Sequence, residues 1–159
     1  MPVPLTPEQQ DEHDELNQPI AALAQRARVR PLTQAEFLRL MVLLNTQRII
    51  CNGLAQLRFE ETWPSLSAAR QPTEALLASL FSPKLVELRE LLANIAVAQE
   101  RKVVVFSQWR RMLKLASWSA SEVLAGAGVR SVFFTGEEGQ QRCASSSRAS
   151  RSGRRPMAK

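Results

Sequence analysis

Three side chains that can hydrogen-bond follow directly on an apolar run in this chain. The run extends from Val103 to Phe106, and Ser107, Gln108 and Trp109 come next. A short apolar run with this ending predicts a buried strand that delivers a polar cluster to its C-terminal end. In open α/β sheets, ligands bind beyond the carboxyl ends of the strands, so the three residues are candidate contacts for a ligand. The alternative is a core strand followed by an ordinary helix cap.

A helix is predicted immediately before this strand. Ser82 suits the N-cap and Pro83 suits the first helical position. Apolar residues then recur at helical spacing, at Leu85, Leu88, Leu91, Leu92 and Ile95. We therefore expect a buried helix that leads into the strand.

A second helix and a second strand are predicted after the polar cluster. The helix is expected to begin after Gln108 and to run to about Ala125, and residues 129–136 have the apolar pattern of a strand. The order strand, helix, strand predicts a right-handed βαβ unit with parallel strands. Both strands would end at one edge, so Ser107 and Thr135 would lie near each other.

The N-terminal region has helical signals. Capping boxes are predicted at Thr6 and Thr33, so residues 1–58 are expected to be helical, and residues 59–81 are expected to form a loop and connecting segment. These helices are either a packing layer or a hairpin that binds a protein partner.

The positive charge of the chain lies in its C-terminal tail. All fifteen carboxylates lie between Glu8 and Glu138, and the same stretch holds fifteen of the twenty-one Lys and Arg residues. The net charge of +6 therefore comes from residues 142–159, which contain no acidic residue. We expect a disordered basic tail, which is either simply solvated or an arm that binds phosphates without specificity.

Several of these segments together resemble the second RecA-like lobe of Swi/Snf-type DNA-dependent ATPases. Ser-Pro-Lys at residues 82–84 resembles the start of that lobe, and Phe-Ser-Gln at residues 106–108 resembles its motif IV. Residues 48–52 resemble a family helix that ends in Cys-Asn-His-Pro, although Gly and Leu at residues 53–54 replace the His and Pro. The resemblance covers residues 5–141.

The resemblance implies an α/β fold and descent from an ATP-driven motor protein that moves along DNA. Residues 82–141 would be an incomplete RecA-like lobe of the P-loop NTPase fold, preceded by a helical linker region. The complete family protein uses ATP and Mg to drive helicase-like translocation along duplex DNA. This sequence contains no G-x-x-x-x-G-K-[ST] phosphate cradle and none of the later arginine-bearing motif. We therefore expect a truncated lobe that binds no cofactor and hydrolyses no ATP alone.

The resemblance also implies a set of contacts with the DNA backbone. The expected contacts are Ser107, Gln108, Trp109, Arg110, Arg111, Thr135 and Gly136. Hydroxyls, amides and arginines at such positions hold phosphates without reading sequence, as a translocase requires. The alternative for Arg110 and Arg111 is a solvated first turn of a helix.

The sequence also bears on the partners and the cellular compartment of the chain. Besides duplex DNA, the chain could pair with a first RecA-like lobe on another chain, and the competing hypothesis is a noncatalytic α/β protein-interaction module with that role. His13 lies among carboxylates, but no second histidine or paired cysteine completes a metal site. Cys51 and Cys143 form no disulfide framework, and no signal peptide or long apolar span is present. We expect a cytoplasmic chain without a membrane segment.

Overall fold

The computed structural model describes residues 2–69 and 71–135, and this part of the chain is mostly helical. Helices account for 68% of it, and it contains no β-strand or sheet. The predicted α/β class, with its RecA-like parallel βαβ unit, is therefore wrong for the described residues. None of the helices within them combines the length and the apolar character needed to cross a membrane.

The helices follow one another closely along the chain. They are α1 (Pro7–Glu15), α2 (Asn17–Val29), α3 (Gln34–Ile50), α4 (Leu54–Leu57), α5 (Phe59–Ala68), α6 (Glu74–Ala78), α7 (Pro83–Leu92), a π-helical segment (Ala93–Ala98) and α8 (Arg110–Gly126). Helices α7 and α8 match the predictions from sequence, except that Leu91, expected in the buried stripe of α7, is 46% exposed. The stretch predicted as a loop, residues 59–81, instead contains α5, with Pro64 inside it, and α6.

Both predicted capping boxes form at the starts of helices in the N-terminal region. Thr6 and Thr33 each accept a hydrogen bond from the backbone three residues later, and the side chains of Gln9 and Glu36 bond back, which confirms both boxes. Gln9 is fully buried, and its Nε2 donates to the carbonyl oxygen of Ile50 over 2.6 Å. This bond joins the start of α1 to the end of α3.

The hydrophobic core lies among α4, α5, α7 and α8. Its main cluster of buried residues is Ala55, Phe59, Leu66, Leu80, Leu85, Leu115, Ala116 and Trp118. A smaller cluster joins α7, the π-helical segment and α8, through Leu92, Ala96, Ala120 and Leu124. The apolar stripe of α8 therefore packs against both clusters from Met112 to Leu124.

The first predicted strand is an exposed segment without regular secondary structure. Val103, Val104, Val105 and Phe106 are 39%, 72%, 38% and 91% exposed, so the expectation that Val104 is buried in a sheet is also wrong. A strand is stable only when neighbouring strands satisfy its backbone groups, and two strands alone are marginal. The apolar run fits a strand locally, but the described chain supplies no sheet to receive it.

The second predicted strand belongs to a separate compact unit that begins at Arg130. Its described residues, 130–135, form no strand, and Val132, Phe133 and Phe134 are exposed. The sheet edge expected to join Ser107 to Thr135 is therefore not formed by the described residues. Gly136 and the predicted basic tail, residues 142–159, lie outside them.

Candidate functional site

A groove of about 720 Å³ lies where the end of α3, the start of α7 and the segment before α8 meet. Its lining residues are His13, Met41, Leu44, Asn45, Gln47, Arg48, Cys51, Asn52, Lys84, Ser107, Gln108 and Trp109. Three of these, Ser107 to Trp109, were predicted from sequence as ligand contacts. The groove therefore collects them without the sheet that was expected to position them.

The last turn of α3 forms one wall of the groove. Arg48 lies in this turn, and its Nη2 donates to Oε1 of Gln108 over 3.3 Å. The bond is long and exposed, so it orients both side chains but leaves most of the guanidinium's donors available. Gln108 is thus held beside a cation that is sixty residues away in the sequence.

The junction between α3 and α7 also lines the groove. Lys84 lies in the first turn of α7, with its Nζ 3.4 Å from Oδ1 of Asn52. The Ser82 hydroxyl donates to the carbonyl oxygen of Asn52 instead of capping α7. Gly53 permits this approach, because a Cβ at that position would lie 2.5 Å from Cβ of Ser82.

The turn that starts α8 lines the groove as well. The backbone N–H of Trp109 donates to Oγ of Ser107 over 3.1 Å, so the Ser107 hydroxyl stabilises a local turn. Trp109 is the N-cap of α8, and no side chain caps this helix end. The dipole of the first turn favours a negative charge nearby.

The groove carries positive charge and no described acidic residue. Arg48 and Lys84 line it as cations, and His13 lies at its margin with Nδ1 3.0 Å from Oδ1 of Asp14. No Asp or Glu is among the described lining residues. Because a nearby carboxylate would neutralise these cations, its absence from the lining leaves a site suited to an anion.

Arg110 and Arg111 do not line the groove. Arg111 donates from Nη2 to Oε1 of Glu60 over 2.7 Å, and its guanidinium lies 5.6 Å from the ring centroid of Phe59. Its charge is therefore directed to α5. Arg110 is exposed in the first turn of α8. Thr135 belongs to the separate unit that begins at Arg130.

Sequence reasoning did not select Arg48, Asn52 and Lys84 as site residues. The signal was present, because both segments that contain them contribute to the family resemblance. The groove does not fit the Mg–ATP of the family, since its described lining offers no carboxylate to hold the metal. Within the described residues, no cluster of histidine, cysteine and acidic side chains could hold a metal ion.

Comparison with protein-family models, with curated proteins and with solved structures found no match to this chain.

Proposed function

We propose that the chain is a fragment of a Swi/Snf-type DNA translocase and that the groove contacts the sugar-phosphate backbone of duplex DNA. The observation that carries the proposal is the meeting of Arg48, Lys84 and Gln108 around one groove that no described carboxylate lines. These residues come from the three segments on which the resemblance rests.

The chemistry of the groove suits a phosphate group. Arg48 offers several planar donors that can bind two phosphate oxygens, and Lys84 offers a compact positive charge. Gln108 can donate from its amide while its oxygen accepts from Arg48. These groups recognise the backbone and not the bases, so binding is expected to be independent of sequence.

The proposal assigns no catalysis to the chain alone. Residues that could cradle the nucleotide phosphates are missing from the sequence, and the groove does not fit Mg–ATP. Hydrolysis would require a first lobe supplied by another chain. The proposal places the protein in the cytoplasm with the DNA, where the Cys51 thiol stays reduced.

The experiment compares charge-removing variants of the full chain in duplex binding, measured by fluorescence anisotropy at several salt concentrations. Each phosphate contact contributes about 0.9 to the slope of log K against log salt. Replacing Arg48 with Gln and Lys84 with Gln together should therefore reduce this slope by about 2. The matched controls are Arg39→Gln on α3 and Lys114→Gln on α8, both exposed and outside the groove.

The control pair should keep the parental slope and lose only a small, general attraction. If both pairs lower affinity and slope equally, binding reflects net charge and the groove is not the contact.

A second candidate function is a noncatalytic protein-interaction module. The observation that favours it is an exposed apolar face on α3, where Phe37, Leu38, Met41 and Val42 are 52%, 55%, 39% and 63% exposed. The partner would be the chain that supplies the first lobe. Replacing Phe37 and Leu38 with Ser should abolish that association and leave DNA binding by the groove unchanged.

A further inference from the structure

The single histidine of the chain lies beside the cations of the groove. His13 lines the groove together with Arg48 and Lys84, and its side chain is 26% exposed, so a ligand from solvent can reach the ring. Gln47 on α3 holds this turn of α1 in place. Its Nε2 donates to the carbonyl oxygen of His13 over 3.3 Å and to Oδ1 of Asn17 over 2.8 Å. An imidazole is therefore positioned at the site that we assign to phosphate.

The hydrogen bond to Asp14 decides which ring nitrogen of His13 carries the hydrogen. Nδ1 of His13 lies 3.0 Å from Oδ1 of Asp14. Hydrogen bonds from Gln10 and then from His13 lower the pKa of Asp14, so its carboxylate is ionised at neutral pH and can only accept. The hydrogen of the neutral ring therefore lies on Nδ1, and Nε2 remains an acceptor. Among the described residues, Nε2 has no hydrogen-bond partner.

Protonation changes what Nε2 can bind. A phosphate oxygen accepts hydrogen bonds, so it gains nothing from the neutral ring, whereas the protonated ring offers an N–H donor and a positive charge. Resting on the function proposed above, we propose that His13 is a third phosphate contact of the groove and that it binds only when its imidazole is protonated. Imidazole is the side chain whose charge ordinarily changes between about pH 5 and 8. Affinity for DNA should therefore rise as the pH falls through this range.

The other charges around His13 leave this gain available to the groove. Asp14 lies outside the lining and is ionised in both states of the ring. Glu12 is paired with Arg58, and the charged residues of α2 lie in its last turn. The remaining groups are Glu8, Asp11 and Glu15, which are two or five residues away on other faces of α1, and Arg48, Cys51 and Lys84 in the lining. Protonation of His13 thus adds a third cation to a lining without a described carboxylate.

The first experiment measures the salt dependence of duplex binding by the full chain at about pH 5.5 and about pH 8. In the parent, the slope of log K against log salt should be steeper at the acid pH by about 0.9, the contribution of one phosphate contact. His13→Gln cannot be protonated and should show one slope at both pH values. His13→Lys carries a permanent charge and should show the steeper slope at both. The basic tail contains no histidine, so its contribution cancels in these comparisons.

The matched control moves the imidazole out of the groove. A chain with His13→Gln and Gln25→His has the same composition as the parent and the same ionisable groups. Residue 25 is exposed on α2 and does not line the groove. This chain should lose the pH response of the slope, because its additional positive charge in acid lies away from the bound phosphates.

The second experiment follows the imidazole directly by NMR in a chain with isotope-labelled histidine. Because the chain has one histidine, its ring signal needs no assignment. Proton binding and DNA binding are reciprocally linked, so saturating duplex should move the midpoint of the His13 titration to higher pH. The midpoint of the chain with its imidazole at position 25 should move less.

Two results would exclude His13 as a contact while leaving the groove as the DNA site. One is a parent whose slope does not change with pH, and the other is a swapped chain that responds to pH as the parent does. In both cases Arg48→Gln with Lys84→Gln would still lower the slope. If that pair leaves the slope unchanged at both pH values, the proposed function fails and the role of His13 fails with it.

Discussion

Replacing Gly53 with Ala is expected to destabilise the junction that forms the groove. A Cβ on Gly53 would lie 2.5 Å from Cβ and 2.7 Å from Oγ of Ser82, closer than real Cβ atoms approach. The backbone on both sides has little freedom to adjust, because Leu54 N–H donates to the carbonyl of Phe81 and Ala55 N–H donates to that of Leu80. The chain must therefore shift or break these contacts.

The expected cost follows from two effects. Overpacking of a fitted contact costs about 1–3 kcal/mol. Displacing Ser82 also weakens its hydrogen bond to the Asn52 carbonyl, which contributes about 1 kcal/mol. The free energy of unfolding should fall by about 2–4 kcal/mol, and the melting temperature by about 10 °C for a chain of this size.

The control is the same substitution at Gly126, at the end of α8. No atom lies within 4 Å of a Cβ at that position. Gly126→Ala should leave stability unchanged or raise it by about 0.5 kcal/mol, because alanine favours helix. Thermal melts followed by circular dichroism at 222 nm, a wavelength that reports helix, measure both variants.

A Gly53→Ala variant that melts with the parent would refute the close approach of the two segments. The groove would then lack the wall formed by Asn52 and Lys84. If Gly53→Ala and Gly126→Ala lowered the free energy of unfolding equally, the cost would come from losing a glycine and not from the close contact with Ser82.

Three further changes test other parts of the structure. Gln9→Ala should lower the free energy of unfolding by about 2–3 kcal/mol in urea titrations, because it removes the buried bond to Ile50 and the partly buried bond from the Thr6 backbone. The exposed control Gln10→Ala should cost under about 0.5 kcal/mol. Similar midpoints for the two variants would contradict the buried contact. Hydrogen bonding from Arg30, then from the Thr33 backbone and Arg26, lowers the pKa of Glu36 from 4.5 to about 2. Its ionised form therefore stabilises the fold above about pH 4.5, and this contribution is lost as the pH falls to about 2. Glu36→Gln should lower the melting temperature at pH 7 and converge on the parent in that acid range; a constant difference between pH 7 and pH 2 would exclude this linkage. The purified chain should show no ATPase activity above background in a phosphate-release assay, with or without duplex DNA, and turnover that disappears in Gln108→Ala would reverse this conclusion.

The helices could be predicted from sequence because their signals are local. Thr6 and Thr33 carry capping boxes that the structure confirms, and Pro83 begins α7 as expected. Each of these signals depends on residues within one helical turn. Such patterns need no knowledge of distant packing.

The strands could not be predicted because a strand depends on partners elsewhere in the chain. Val103–Phe106 satisfies the local pattern of a buried strand, but its apolar residues say nothing about whether neighbouring strands exist. The helices α4, α5, α7 and α8 form the core without it. The segment is left exposed and without regular secondary structure.

The candidate site was partly predictable for a similar reason. Ser107 to Trp109 stood out as polar residues after an apolar run, and they do line a groove. The cation beside Gln108 comes from Arg48, and the carboxylate that engages Arg111 comes from Glu60. Both contacts join residues more than fifty positions apart, so neither has a local signal in the sequence.

Protection of the Cys51 thiol by DNA tests the central claim most directly, because Cys51 lies in the lining of the groove. The measurement is the rate of maleimide labelling in a Cys143→Ser chain, with and without saturating duplex DNA. A matched chain with Val29→Cys, Cys51→Ser and Cys143→Ser carries its single thiol at an exposed position outside the groove. If the groove holds the DNA backbone, labelling of Cys51 slows in proportion to the fraction bound, and labelling at position 29 does not change. Labelling of Cys51 at its original rate while DNA is bound would contradict the account.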